Sequence, residues 1–145
     1  MAQQVPEFER LTEWEEFAKQ LVEFYPERFG HIDPSKLVAY IITNKEESDS
    51  SRPYEMQTDK LPMRLTNQYD YFIWFKQPSE WHDKPRNNKI SLVIAAMERI
   101  DPEKPYSILP LDLRDQTSMV NTFGLNWYNN PNIPDALEKH IDFRD

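Results

Sequence analysis

The residue types that carry most enzymatic chemistry are sparse in this chain and poorly spaced for it. It has three histidines. His31 falls in a turn-rich bridge, Phe29-Gly30-His31-Ile32-Asp33-Pro34, His82 in a proline-flanked loop and His140 near the end. No two stand at the i, i+4 spacing that puts a pair of imidazoles on one helical face for zinc. Trp81-His82-Asp83 is the one suggestive triplet. Adjacent His and Asp share a ligand only across a turn, so a surface turn with Trp81 as packing anchor is the simpler role. Cysteine is absent, which removes a thiolate nucleophile and a disulfide framework. There is no G-x-S-x-G elbow. Gly30 and Gly124 are the only glycines, so there is no glycine-rich phosphate loop and no cofactor is expected. Carboxylates are plentiful but form no recognisable pair. Asp70 and Asp112 are the most suggestive, and a helix cap accounts for Asp112 without catalysis.

The elements that would position any such chemistry are organised about residues 89–100, KISLVIAAMERI. Ile90, Val93, Ile94 and Met97 recur at i, i+3, i+4 and i+7, which predicts one apolar face of a buried helix. Asn87 and Asn88 are its expected N-caps, and Asp101-Pro102 ends it. Residues 37–43 (LVAYIIT) and 69–75 (YDYFIWF) read as strands. An earlier helix has Thr12 and Glu15 as a capping-box pattern and Trp14, Phe17, Ala18, Leu21, Val22 and Phe24 as its apolar face, and Pro26 stops it. Residues 1–10 read as a loose lead-in. Residues 44–68 read as a long loop with its tip at 48–52, of which 53–65 can return as a short strand. Residues 106–109 read as extended. Asp112 is expected to cap a helix over 113–123, with Met119 and Val120 inward and Gly124 closing it. Pro134 suits the first position of a short last helix over 135–141, with Phe143 tucking back. The expected architecture is one α+β domain over 1–145, a small mixed sheet packed on a central helix.

The order of these segments resembles a family of small phage metallopeptidases with a minimal zincin-like core. In that family a helix ending in a sequence like LIEEY precedes a strand and a variable loop. A second strand of the type YDFVIEI leads into a helix carrying HExxH, and a PHDVEEF helix ends in GLW. Leu21-Val22-Glu23-Phe24-Tyr25 looks like the first landmark, and 37–43 like the first strand. Tyr69-Asp70-Tyr71-Phe72-Ile73-Trp74 is similar to the second strand, with Trp81 where a tryptophan often follows. Pro110-Leu111-Asp112-Leu113 resembles the start of the last helix and Gly124-Leu125 its end, so the resemblance covers about residues 10 to 127. It implies that Ala95 and Arg99 stand in place of the two histidines. Ala96 then replaces the glutamate base, and Leu111 the third histidine. Alanine can neither coordinate zinc nor move a proton, so the resemblance implies a metallopeptidase scaffold with its site erased. An ordinary core helix accounts for Ala95-Ala96 equally, and both readings expect no zinc.

Composition narrows the remaining classes. At 145 residues the chain fits one domain, able to bury about two-thirds of its unfolded surface. There is no run of 18 apolar residues and no signal-like start, so the expected location is cytoplasmic and no membrane partner is expected. The net charge of −8 disfavours direct nucleic-acid binding, which draws on clustered Lys and Arg. Taken with this composition, the resemblance implies a non-catalytic protein-binding or regulatory role, phage-encoded and directed at a host or phage protein. A hydrolase with an unrecognised site and an acidic DNA mimic stand as alternatives. Tyr54 and Met56 in the long loop, with Trp127 and Tyr128, are the expected contact residues, since exposed aromatic and Met side chains anchor interfaces. On that reading, exchanging residues 48–57 for a Gly/Ser linker leaves the melting temperature nearly unchanged.

Overall fold

Two short segments carry β-branched or aromatic side chains at nearly every position, and they form the inner strands of the sheet. The computed structural model describes residues 7–43, 54–58, 68–76, 78–103, 107–109, 116–124, 127, 130 and 132–143. In chain order these form β1 (Phe8–Arg10), α1 (Thr12–Phe24), the single turn α2 (Pro26–Phe29), β2 (Leu37–Ile42) and β3 (Glu55–Thr58), then β4 (Tyr71–Phe75), α3 (Arg86–Met97) and α4 (Thr117–Phe123). The strands make one mixed sheet in the order β1-β2-β4-β3. β2 and β4 are parallel, in register from Leu37↔Tyr71 to Ile41↔Phe75. The edge strands run antiparallel to them, β1 through Phe8↔Ile42 and β3 through Met56↔Ile73. With the period of two, Leu37, Ala39 and Ile41 share the core face with Tyr71, Ile73 and Phe75. The fold is α+β, as expected, and the residues read as a loose lead-in contribute an edge strand.

α1 begins without the expected capping box. Its N-cap is Leu11, whose apolar side chain has no acceptor for the first helical amides, and the Leu11 amide itself donates to Ala39 O at 2.8 Å. Glu15 is likewise drawn to the sheet. It accepts from Arg10 Nε at 2.9 Å and lies 3.4 Å from the Ala39 amide. Pro26 ends α1 and starts α2, where its missing N–H costs nothing. Phe24, expected inward, is exposed at the last turn beside the rings of Tyr25 and His140.

α3 starts three residues before the predicted 89, and Pro85, not an asparagine, stands at its N-cap. Asn87 and Asn88 are inside the helix and work outward. Asn87 Nδ2 donates to Ile133 O (3.0 Å), and Asn88 Nδ2 to Trp127 O (3.2 Å) and Asn130 O (2.8 Å). Every residue from Ile90 to Met97 is buried. A helix apolar all round belongs in the middle of a domain; α3 packs on α1, shares one core with the strands, and is tied to the C-terminal segment through Asn87 and Asn88. Trp81, the expected anchor, is fully buried against Phe75 and Phe17.

The helix expected over 113–123 is shorter: α4 begins at Thr117 with Gln116, not Asp112, at its N-cap, with Met119 buried and Gly124 closing it at φ 94°. Asp112 and the loop tip at 48–52 lie outside the described residues. No helix forms over 135–141. Asp135 turns the chain once, Oδ1 accepting from the Leu137 amide at 2.9 Å. The Ile141 amide, which a helix would return to Leu137, goes instead to Tyr25 Oη at 3.0 Å. Phe143 does tuck back, its ring 5.3 Å from Tyr25, 5.7 Å from Phe29 and 4.6 Å from the Arg28 guanidinium. No helix of the described residues is long and apolar enough to cross a membrane.

Two measurements check this packing. Val93→Asp places an unpaired carboxylate in the α3 core and should cost about 3–5 kcal/mol in chemical denaturation. A variant as stable as the parent contradicts the burial. Burial also raises the Tyr25 phenol above its ordinary 10.0, with the nearby Asp135 adding to the effect and the Ile141 amide opposing it. Its contribution is therefore complete below pH 10 and is lost as the pH rises through the raised value. Stability measured against pH should fall more steeply above pH 10 in the parent than in Tyr25→Phe.

Candidate functional site

A helix leaves its last carbonyls without partners, and at the end of α3 one of them is served from outside. The Glu98 amide returns to Ile94 O at 2.9 Å. The backbone then tightens, with Arg99 N bonding Ala96 O (3.1 Å) and Ile100 N bonding Met97 O (3.2 Å). That step passes over the Ala95 carbonyl, which accepts instead from Gln116 Nε2 at 3.0 Å. Gln116 is buried at the start of α4 and is the one non-glycine at positive φ (61°) among the described residues. Such a conformation costs about 1–3 kcal/mol and persists where its surroundings hold it. On its other side, Gln116 Oε1 lies 3.5 Å from Tyr54 Oη. The Arg99 guanidinium stands 6.0 Å above the Tyr54 ring and donates from Nε to Leu109 O at 3.1 Å. The Ile100–Ile108 bridge and the Leu109 amide on Arg99 O (2.7 Å) fix that corner.

The positions that the resemblance assigns to zinc ligands and base are thus part of a packed corner. Ala95 and Ala96 are fully buried, and Arg99 is bound to a backbone carbonyl. Leu111 lies outside the described residues. The groups converging here are a carboxamide, a phenol and a guanidinium. They can hold hydrogen bonds, and none is a base at neutral pH. Among the described residues no group of three or more His, Asp or Glu could hold a metal ion. Gln116 went unnoticed in the sequence, where nothing in its neighbourhood distinguishes it from a surface residue.

The expected contact residues need correction. Tyr54 is only 4% exposed and Trp127 only 2%, so neither is a surface anchor. Tyr54 enters the core just before β3, its ring 6.3 Å from Phe75. Trp127 is drawn in where Asn88 holds its carbonyl. Met56 is half-buried on the core side, opposite Ile73, and Tyr128 lies outside the described residues. Residues 48–57 therefore include part of an edge strand and a core tyrosine. Exchanging them for a linker would lower the melting temperature, contrary to the expectation.

Open surface with shape lies at the pole where α1 and α3 end. A cleft of about 240 Å³ is lined by His31, Lys36, Asp33, Asp70, Asp101 and Glu103 among others. His31 is engaged there, a ring nitrogen 3.2 Å from Ile100 O. The Ser35 hydroxyl and amide donate to Asp33 and hold its carboxyl below the usual range. A second cleft of about 490 Å³ has Phe29, Met97 and Leu109 in its walls and the Arg28–Glu98 pair (2.7 Å) across it. A third, of about 550 Å³, runs between α2 and residues 140–143. His82 is exposed in its turn, away from these clefts. The pole's carboxylates favour contact with basic groups.

No family model, curated protein or solved structure matches this chain.

The Gln116 bond makes a direct prediction. Gln116→Leu leaves the Ala95 carbonyl buried without a donor and should lower stability by about 1–3 kcal/mol in urea denaturation. An unchanged midpoint would show that water or another donor replaces it.

Proposed function

We propose that this chain is a non-catalytic protein-binding or regulatory protein. In this reading it is a pseudoenzyme on a degenerate metallopeptidase-like scaffold, encoded by a phage and acting in the host cytoplasm on a host or phage protein. The observation that supports the reading most is the closed end of α3. Where a zincin needs two imidazoles and a carboxylate on one helical face, this chain has buried alanines and a carbonyl capped by Gln116. A scaffold without such groups acts through its surface. The net charge of −8 and the carboxylates of the polar clefts favour a protein partner over a phosphate backbone.

Incubated with zinc and a mixture of unfolded substrate proteins, the purified chain should leave them intact. After dialysis, elemental analysis should find little zinc. Immobilised, it should retain a host or phage protein that soluble chain competes away. Chelator-sensitive cleavage together with about one zinc per chain contradicts the reading.

A further inference from the structure

Residues 132–143 lie against α1, α2 and α3 as a strap, and they are held differently from the rest of the fold. Elsewhere neighbouring segments are tied backbone to backbone, as in Leu11 N on Ala39 O, Asp70 N on Lys36 O and Leu109 N on Arg99 O. Among the described residues the strap makes no such bond to the rest of the chain. Its own are internal, from the Glu138 and Lys139 amides to Asp135 O. Side chains of the helical layer hold it by reaching its backbone. Asn87 Nδ2 donates to Ile133 O at 3.0 Å. Tyr25 Oη donates to Ala136 O at 2.6 Å and accepts from the Ile141 amide at 3.0 Å. Arg86 Nε pairs with Asp135 at 2.9 Å. Between these holds the strap sets down apolar groups. Ile133 and Ala136 are buried, and Phe143 fits among Tyr25, Phe29 and Arg28.

Side chains that grip a backbone, with sockets for apolar residues between them, are how grooves recognise peptide segments. None of these contacts requires the gripped segment to be joined covalently to the groove. We propose that Tyr25, Arg28, Phe29, Arg86 and Asn87 form a peptide-binding groove that the strap keeps self-occupied. Its partner is a segment of the strap's own chemistry that makes the same turn at its carboxylate. It carries a carboxylate for Arg86 between two apolar side chains, and an aromatic ring further on for the Arg28 face. The inference deepens the protein-binding reading and rests on it, because the strap is what a partner segment displaces.

Two measurements on the full chain decide it. By hydrogen exchange, the amides of Leu137, Lys139 and Ile141 should open at least about tenfold faster than those of Ile73 and Val93, as a locally unfolding unit does. The chain carrying Ile133→Ser and Phe143→Ser keeps the groove and weakens the strap. A labelled peptide of residues 132–143 should bind that variant about tenfold or more tightly than the parent, because a larger fraction of the groove is vacant. Adding Tyr25→Phe should reduce that binding again. If the double variant is unfolded by circular dichroism, Phe143→Ser alone carries the test. Strap amides that exchange together with Ile73 and Val93 overturn the proposal. So does a folded strap variant that binds the peptide no better than the parent. Both results leave the broader reading to be judged by its own cleavage and capture tests.

Discussion

The constraint on which the structure turns is the complete burial of α3. A helix with one apolar stripe needs packing on one side only; α3, buried from Ile90 to Met97, needs it all round. The core-facing residues of β2 and β4 and the buried face of α1 join α3 in one cluster. The C-terminal segment must return to close the remaining side. Burial of this extent makes every polar atom on the helix a debt to be settled inside the protein. Ser91 returns its hydroxyl to Asn88 O at 2.7 Å, Asn88 holds two carbonyls of the C-terminal segment, and Gln116 serves Ala95 O. Asn88 Oδ1 and Trp14 Nε1 are buried without a partner among the described residues.

The same constraint shapes what the molecule can do. Small residues at Ala95 and Ala96 let the corner of Gln116, Tyr54 and Arg99 close over the helix end. Among the described residues, the groups that meet there are a carboxamide, a phenol and a guanidinium, none of them a base at neutral pH. Carboxylates line the cleft beyond the end of α3, and the strap lies against the helical layer. In the proposed protein-binding reading, a net charge of −8 would favour basic partner surfaces.

Much of the framework was legible in the sequence because it depends on local periodicity. The apolar, β-branched and aromatic density of 37–43 and 69–75 marked both inner strands, and the i, i+3, i+4, i+7 spacing placed Val93, Ile94 and Met97 in the core. What was not legible depends on long-range partners. Asn87 and Asn88 look like caps until carbonyls from distant segments are seen to need them. Glu15 completes a capping box by spacing, yet a sheet amide and Arg10 take it. Tyr54 lies in a stretch with no period, so nothing local distinguishes a core insertion from an exposed anchor. Gln116 is the plainest case, since its role is defined by a single orphaned carbonyl 21 residues away.

Among the described residues, the end of α3 is closed by packing, with Gln116 on the Ala95 carbonyl. The most direct measurement is the thermal stability of Ala95→His with and without zinc. An imidazole forced into a filled corner should lower stability by about 1–3 kcal/mol or more, and zinc should not restore it. A variant that melts like the parent, or one whose melting temperature climbs with zinc concentration as linkage to a bound metal requires, would contradict the account.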